Sequence, residues 1–264
     1  MTGATSNVRG AQPSAKGDLF RYLLTFGDTN LVMAQRLGEW IGHAPALEED
    51  LGLGNLALDH IGQARLFLSY AGEVEGRGRD EDALAFLRDA PEFANLALAE
   101  QPNGDFGQTI VRQWLIDSWQ LELYGALQQS VDSRLAAIAA KSLQETRYHH
   151  RFSSSWVVRL GDGTDESHRR VQQSVDELWR FTDEMFVPSE VEGRLAAPGV
   201  APNLAELQSR WSAAASEVLR EATLTRPKTA AYPWHGKNGV HSEHLGHMLG
   251  EMQHLQRTYP GASW

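Results

Sequence analysis

The 264-residue chain contains no cysteine. That absence excludes disulfides, thiolate metal sites, iron–sulfur clusters held by this chain and a cysteine nucleophile, and it suits a cytoplasmic protein. Long apolar runs are missing too: no stretch approaches the roughly 20 residues needed to span a bilayer. There is no long basic run either. Lys and Arg total 24 against 34 Asp and Glu, a formal charge of −10 spread along the chain. This argues against nucleic acid or an anionic membrane as partner, because both are bound by clustered cations. Residues 1–17 are rich in Ser, Gly, Thr and Gln and lack the apolar core of a signal, so they read as a disordered N-terminal tail. Alternating strand patterns, internal repeats, heptads longer than one helix and a Gly-x-Ser-x-Gly nucleophile elbow are absent as well.

What is present builds a helical core. Hydrophobic residues make up 42% of the chain and include 23 Phe, Trp and Tyr, which excludes global disorder. Proline, which removes the helix N–H donor, is absent between Pro102 and Pro188 and from Ala46 to Ala90, leaving room for long helices. Asp18 reads as the N-cap of a first helix, with Leu19, Leu23, Phe26, Asn30, Met33, Leu37 and Trp40 on one face. A second helix starts near Pro45 with Glu48, Glu49 and Asp50 in its first turn, and ends at about Ala71–Gly72. A third runs from Asp105, and a fourth from Leu135 to about Leu160, where Gly161 and Gly163 stop it and Thr164 caps a further helix to about Phe186. Helical stretches near 203–222 and 241–258 follow. Residues 18–264 therefore read as one all-α domain: four core helices of about 25 residues plus shorter ones.

Polar residues interrupt the apolar stripes. Asn30 lies between Phe26 and Met33, Asp117 between Trp114 and Leu121, and Glu145 shares a face with Ile138 and Phe152, while Asp59 sits among small and polar neighbours. One inward carboxylate per long helix is the plan of a ferritin-like four-helix bundle holding two irons, in which two helices carry Glu-x-x-His. At the corresponding places stand Asp59-His60-Ile61-Gly62 and Glu145-Thr146-Arg147-Tyr148, and about 30 residues before Asp59 lies the amide Asn30. Glycine offers no ligand and a phenol is a poor substitute for imidazole. In this frame three carboxylates of six ligands remain, and His60 and His149 are turned about 100° away from the required face. The set Asn30, Asp59, Gly62, Asp117, Glu145 and Tyr148 therefore reads as a vestigial di-iron site with no metal and no catalytic residue, its carboxylates held in a buried polar network.

Elsewhere the chemistry is sparser. Five histidines crowd the C-terminal region (His235, His241, His244, His247 and His254), but His244 and His254 are about 15 Å apart along a helix, too far to share one ion. Gly76-Arg77-Gly78 is too short for a phosphate loop, and Trp114, Trp119, Trp156 and Trp179 fit helix contacts better than a cofactor box.

The peptides QRLGEWIGHAP (35–45), DHIGQAR (59–65), EQPNGDF (100–106), RYHHRF (147–152), RLGDGT (159–164), EHLG (243–246) and EMQHLQR (251–257) resemble the C-subunit family of bacterial phenylacetyl-CoA epoxidases, also called ring-1,2-phenylacetyl-CoA oxygenases. The resemblance covers about residues 18–264. It implies a structural polypeptide that binds no cofactor itself and pairs as a heterodimer with the catalytic A-type subunit, which carries the di-iron centre. A small B-type subunit would bridge the assembly, and a reductase with FAD and an iron–sulfur cluster would bring electrons from NADPH. The complex would epoxidise the ring of phenylacetyl-CoA in aerobic phenylacetate breakdown. Two other readings of the residues stand beside it. One is an autonomous di-iron oxidase or iron store using Asp59, Asp117, Glu145 and His149; the other is a CoA-ester binding module. If the CoA tail crosses the boundary between subunits, Arg88, Asn95 and Arg194 on irregular segments are its expected contacts.

Overall fold

The computed structural model describes residues 14–228 and 235–262, and among these all regular structure is helical. Four long helices form the centre: α1 (Ala15–Gly38), α2 (Leu47–Glu75), α4 (Phe106–Leu127) and α5 (Ser133–Gly161). Shorter ones surround them: α3 (Glu81–Phe86), α6 (Asp165–Leu178), α7 (Glu190–Ala196), α8 (Leu204–Glu221), α9 (Glu243–Met252) and α10 (His254–Thr258). The class and the four-long-helix plan match the sequence expectation. No described helix is long and apolar enough to cross a membrane.

The helix ends follow local chemistry. Asp105, Asp132 and Thr164 each accept a backbone N–H in the first turn of the helix they precede. The first helix begins a turn earlier than Asp18, because the Ser14 hydroxyl already accepts the Gly17 N–H. Asp18 instead lies inside the first turn, where Arg194 grips both its oxygens at 2.8 Å. Residues 14–17 are thus part of the helix and its cap, and residues 1–13 lie outside the described chain. The second helix begins after Pro45, at Leu47, and reaches Glu75, one turn beyond the expected stop. Its end is set by Gly76 in the left-handed region at φ 69°. The helix expected over 241–258 is broken at Gln253, whose buried side chain donates to the carbonyls of Ala85 and Arg88 and so ties the C-terminal region to the body.

Packing pairs α1 with α2 and α4 with α5. At Gly27 a Cβ would come within 2.6 Å of the Leu68 side chain, so glycine lets α1 and α2 approach closely. The Trp114, Trp179, Trp211 and Phe186 rings join α4, α8 and the segment after α6, which places Trp114 and Trp179 in the core. Between the two helix pairs the apolar packing gives way to polar groups.

Candidate functional site

Each central helix sends polar side chains inward. From α1 comes Asn30, from α2 His60 and Gln63, from α4 Gln113, Asp117 and Gln120, and from α5 Thr146, His149 and Ser153; all are buried. Their order follows from the stripes that carry them. On α2, Leu53, Leu56, His60, Gln63, Phe67 and Ala71 are spaced by three or four residues and are all buried. On α5 the same holds for Leu135, Ala139, Ser142, Thr146, His149, Ser153 and Val157.

This corrects the sequence-based register by one residue on both helices. Gly62 is exposed, Tyr148 is 42% exposed, and the Asp59 side chain is 40% exposed, with Glu145 half-buried beside it. The inward pairs at Glu-x-x-His spacing are His60 with Gln63 and Thr146 with His149. A shift of one residue turns a helix by about 100°, enough to exchange rim and interior. Asn30 and Asp117 are inward as expected. The missed histidines had a legible signal: both continue the apolar stripe of their helix, and His60 follows Asn30 by 30 positions.

The groups form a connected network. His60 Nδ1 lies 2.7 Å from Asn30 Oδ1, which also accepts from Gln120 Nε2 at 3.1 Å. The Asn30 amide nitrogen donates to the Phe26 carbonyl and to the Tyr124 hydroxyl, each at 2.9 Å. Gln113 Nε2 bridges His60 Nε2 at 3.0 Å and Asp117 Oδ1 at 2.6 Å, and the Ser153 hydroxyl donates to Asp117 Oδ2 at 2.7 Å. On the rim, His149 Nε2 meets Asp59 Oδ2 and Gln63 Nε2 donates to Glu145 Oε2, both at 3.0 Å.

Burial dominates the electrostatics. It pushes Asp117 up to about 8, against the lowering effect of Ser153 and Gln113. It holds His60 well below 6.5, with His149 adding to the effect, and lowers His149 despite Asp59. Glu145 is raised by burial, against its bond from Gln63. The interior is thus a nearly neutral polar network.

A pair of irons does not fit this set. Such a centre takes a carboxylate from each of four helices plus two imidazoles. Here α1 offers an amide, α2 an imidazole and an amide, and α5 a hydroxyl and an imidazole. Asp117 is the one carboxylate among the described inward groups named above.

Two of the three expected CoA contacts lie inside the fold, and the third is held by acidic neighbours. Arg88 is 1% exposed and is gripped by both oxygens of Asp28, with further bonds to the Leu84 and Glu92 carbonyls. Asn95 is fully buried, donating to Leu96 and Glu100. Arg194 stays at the surface, but Asp18 and Glu190 hold it. In the C-terminal region His247 and His254 are exposed and His241 binds Glu100, so no metal cluster forms there among the described residues.

Comparison with known proteins adds two findings. Residues 5–264 match the family model described as phenylacetic acid catabolic protein. The chain is also 52% identical over 246 residues to the C subunit of the 1,2-phenylacetyl-CoA epoxidase of Escherichia coli (strain K12), covering 93% of this chain and 99% of that one.

Proposed function

We propose, from the premise that this chain belongs to the phenylacetic acid catabolic protein family, that it is a non-catalytic structural component of a phenylacetyl-CoA 1,2-epoxidase. In this reading it pairs with a homologous oxygenase chain that carries the di-iron centre, within an assembly that includes a small bridging polypeptide and an NADPH-dependent reductase. One observation carries it: the bundle keeps the fold of an oxygen-activating site, while the described groups between its helix pairs include one buried carboxylate where two irons need four.

A second observation supports the pairing. The helix α2 has two apolar faces. Its inner one is buried, and its outer one displays Leu47, Leu51, Gly54, Leu58 and Ile61 at 4-3-4-3 spacing, the four large residues 45–69% exposed. A seam with this period suits a helix of another chain packed along it.

The experiment is to express this chain and the neighbouring oxygenase chain separately and together. Oxygen uptake and epoxide formation from phenylacetyl-CoA are then measured with reductase and NADPH. Turnover that needs the oxygenase chain and improves when this chain is present is the expected result. Oxygen-dependent turnover by this chain alone, with two irons bound, would refute the reading and favour an autonomous oxidase.

A further inference from the structure

The donor atoms of His60, Asp117 and His149 lie within 4.8 Å of one another, and all three residues are fully buried. They come from α2, α4 and α5, so they converge by helix packing and not by local sequence. Among the described residues this is the group of three with that property.

The protons show where the lone pairs point. Asn30 Oδ1 can only accept, so His60 Nδ1 donates to it and His60 Nε2 carries the lone pair, which accepts from the Gln113 amide in the metal-free chain. With Asp59 Oδ2 accepting from His149 Nε2, the lone pair of His149 is on Nδ1, which is buried and has no hydrogen-bond partner. A carboxylate or amide oxygen fixing the far nitrogen of an imidazole is the usual outer shell of a metal-binding histidine. Both histidines have one.

The interior also leaves several acceptors unpartnered, beside one hydroxyl, Ser142 Oγ. Besides His149 Nδ1, the carbonyl oxygens of Gln63, Gln113 and Gln120 are buried without partners. Asp117 is held by two neutral groups, Ser153 and Gln113. Buried acceptors without partners are costly, and a cation satisfies several at once.

We infer that His60, Asp117 and His149 form a binding site for one divalent first-row transition ion, with Asn30 and Asp59 as its outer shell. Two imidazole nitrogens and one carboxylate oxygen suit Zn²⁺ or Fe²⁺ over the oxygen-seeking Mg²⁺ and Ca²⁺. Bonds of about 2.0–2.1 Å to nitrogen and oxygen place tetrahedral donors about 3.4 Å apart, so donor separations of up to 4.8 Å close by up to about 1.4 Å. Gln113, whose amide nitrogen now lies between His60 and Asp117, turns aside and can offer its unpartnered oxygen. Asp59 and Glu145 on the rim between α2 and α5 give the ion an acidic way in. Bound there, the ion staples three helices, a structural role that is independent of whether the partner is an epoxidase component.

The test uses the full chain after chelator treatment, titrated with Zn²⁺ alone by calorimetry. One ion per chain and a higher thermal midpoint are expected. Asp59→Asn, which alters only the rim, weakens binding 10- to 100-fold. His149→Gln and Asp117→Asn abolish it with the helical circular dichroism unchanged, and His254→Ala on the surface leaves it intact. X-ray absorption of the zinc-loaded wild-type chain shows two imidazoles, a readout that does not depend on any variant folding. No binding by the wild-type chain overturns the inference, as does an absorption shell without imidazole. Binding that survives His149→Gln and Asp117→Asn but vanishes in His254→Ala overturns it too, in favour of surface histidines. None of these results alters the oxygen-uptake assay that tests the epoxidase reading.

Discussion

Asn30 Oδ1 on the first helix lies 2.7 Å from His60 Nδ1 on the second, and both residues are fully buried. This contact fixes the rotation of α2 against α1. It turns His60 and Gln63 inward, leaves Asp59 and Gly62 on the rim, and fixes the tautomer of a histidine whose other nitrogen faces Asp117 through Gln113. One expectation follows from the network around it, and three from other parts of the fold.

In metal-free chain, Asp117→Asn is stabilising. The carboxyl is fully buried with neutral partners and pushed up to about 8, so at pH 7 folding must make it take up a proton or bury its charge, and a neutral amide avoids a cost of about 1–3 kcal/mol. The asparagine oxygen still accepts from Gln113, and its amide donates to the Ser153 hydroxyl. Urea unfolding of chelator-treated wild type and variant at pH 7 measures this, and a loss of stability in the variant contradicts it.

Arg88 is expected to act through the fold. Its guanidinium holds Asp28, two backbone carbonyls and the Phe93 ring, whose centre is 4.2 Å away. Arg88→Ala strands the Asp28 carboxylate in the core and costs about 3–5 kcal/mol, read from the denaturation midpoint of the isolated chain. A stable Arg88→Ala chain that raises only the KM for phenylacetyl-CoA in the complex would restore the CoA-contact role.

Stability falls with alkaline pH through His241. Burial pulls this imidazole down, but the Glu100 carboxylate at 3.0 Å and the Phe93 carbonyl at 3.1 Å favour its charged form more strongly, and the net shift is upward from 6.5. A raised folded value means the contribution is complete below pH 6.5 and is lost as pH climbs through the higher, folded value. Chemical denaturation of wild type and His241→Asn across about pH 5.5–9 is expected to show a gap that narrows as pH rises. A gap that widens contradicts the assignment.

Under the proposed pairing, the outer face of α2 is the expected seat of association. Leu51 and Leu58 are 60% and 66% exposed, so Leu51→Glu with Leu58→Glu leaves the circular dichroism and thermal midpoint of the isolated chain near wild type. Affinity for the co-expressed oxygenase chain drops by about 2 kcal/mol or more, roughly thirtyfold in Kd. Sedimentation of the mixed chains measures it, and undiminished association moves the interface to another face.

Much of the architecture was legible before folding. Proline-free stretches and caps such as Asp105 and Thr164 placed the long helices to within about a turn. Two of the misplacements have plain physical causes: Ser14 caps upstream of Asp18, and the break at Gln253 depends on carbonyls of Ala85 and Arg88 far away in sequence. A third is the helix expected to reach Phe186, which ends at Leu178 and continues as a 3-10 turn over Trp179–Met185. The candidate site was half legible. Asn30 and Asp117 stood out as polar residues inside apolar stripes. On α2 and α5, reasoning from carboxylates favoured Asp59 and Glu145, although the stripes themselves pass through His60 and His149.

The linear order of residues determined the class of the molecule and the span of its long helices, because periodicity, capping and composition are local properties. Which of two adjacent residues faces the interior was decided only by packing. Neighbours on a helix differ by about 100° in direction, and where a stripe alternates polar and apolar groups the rotation is settled by contacts such as Asn30 with His60 and Gly27 with Leu68. Tertiary structure likewise decided that Arg88 is gripped by Asp28, 60 residues away, and that three donors from three helices meet at one point.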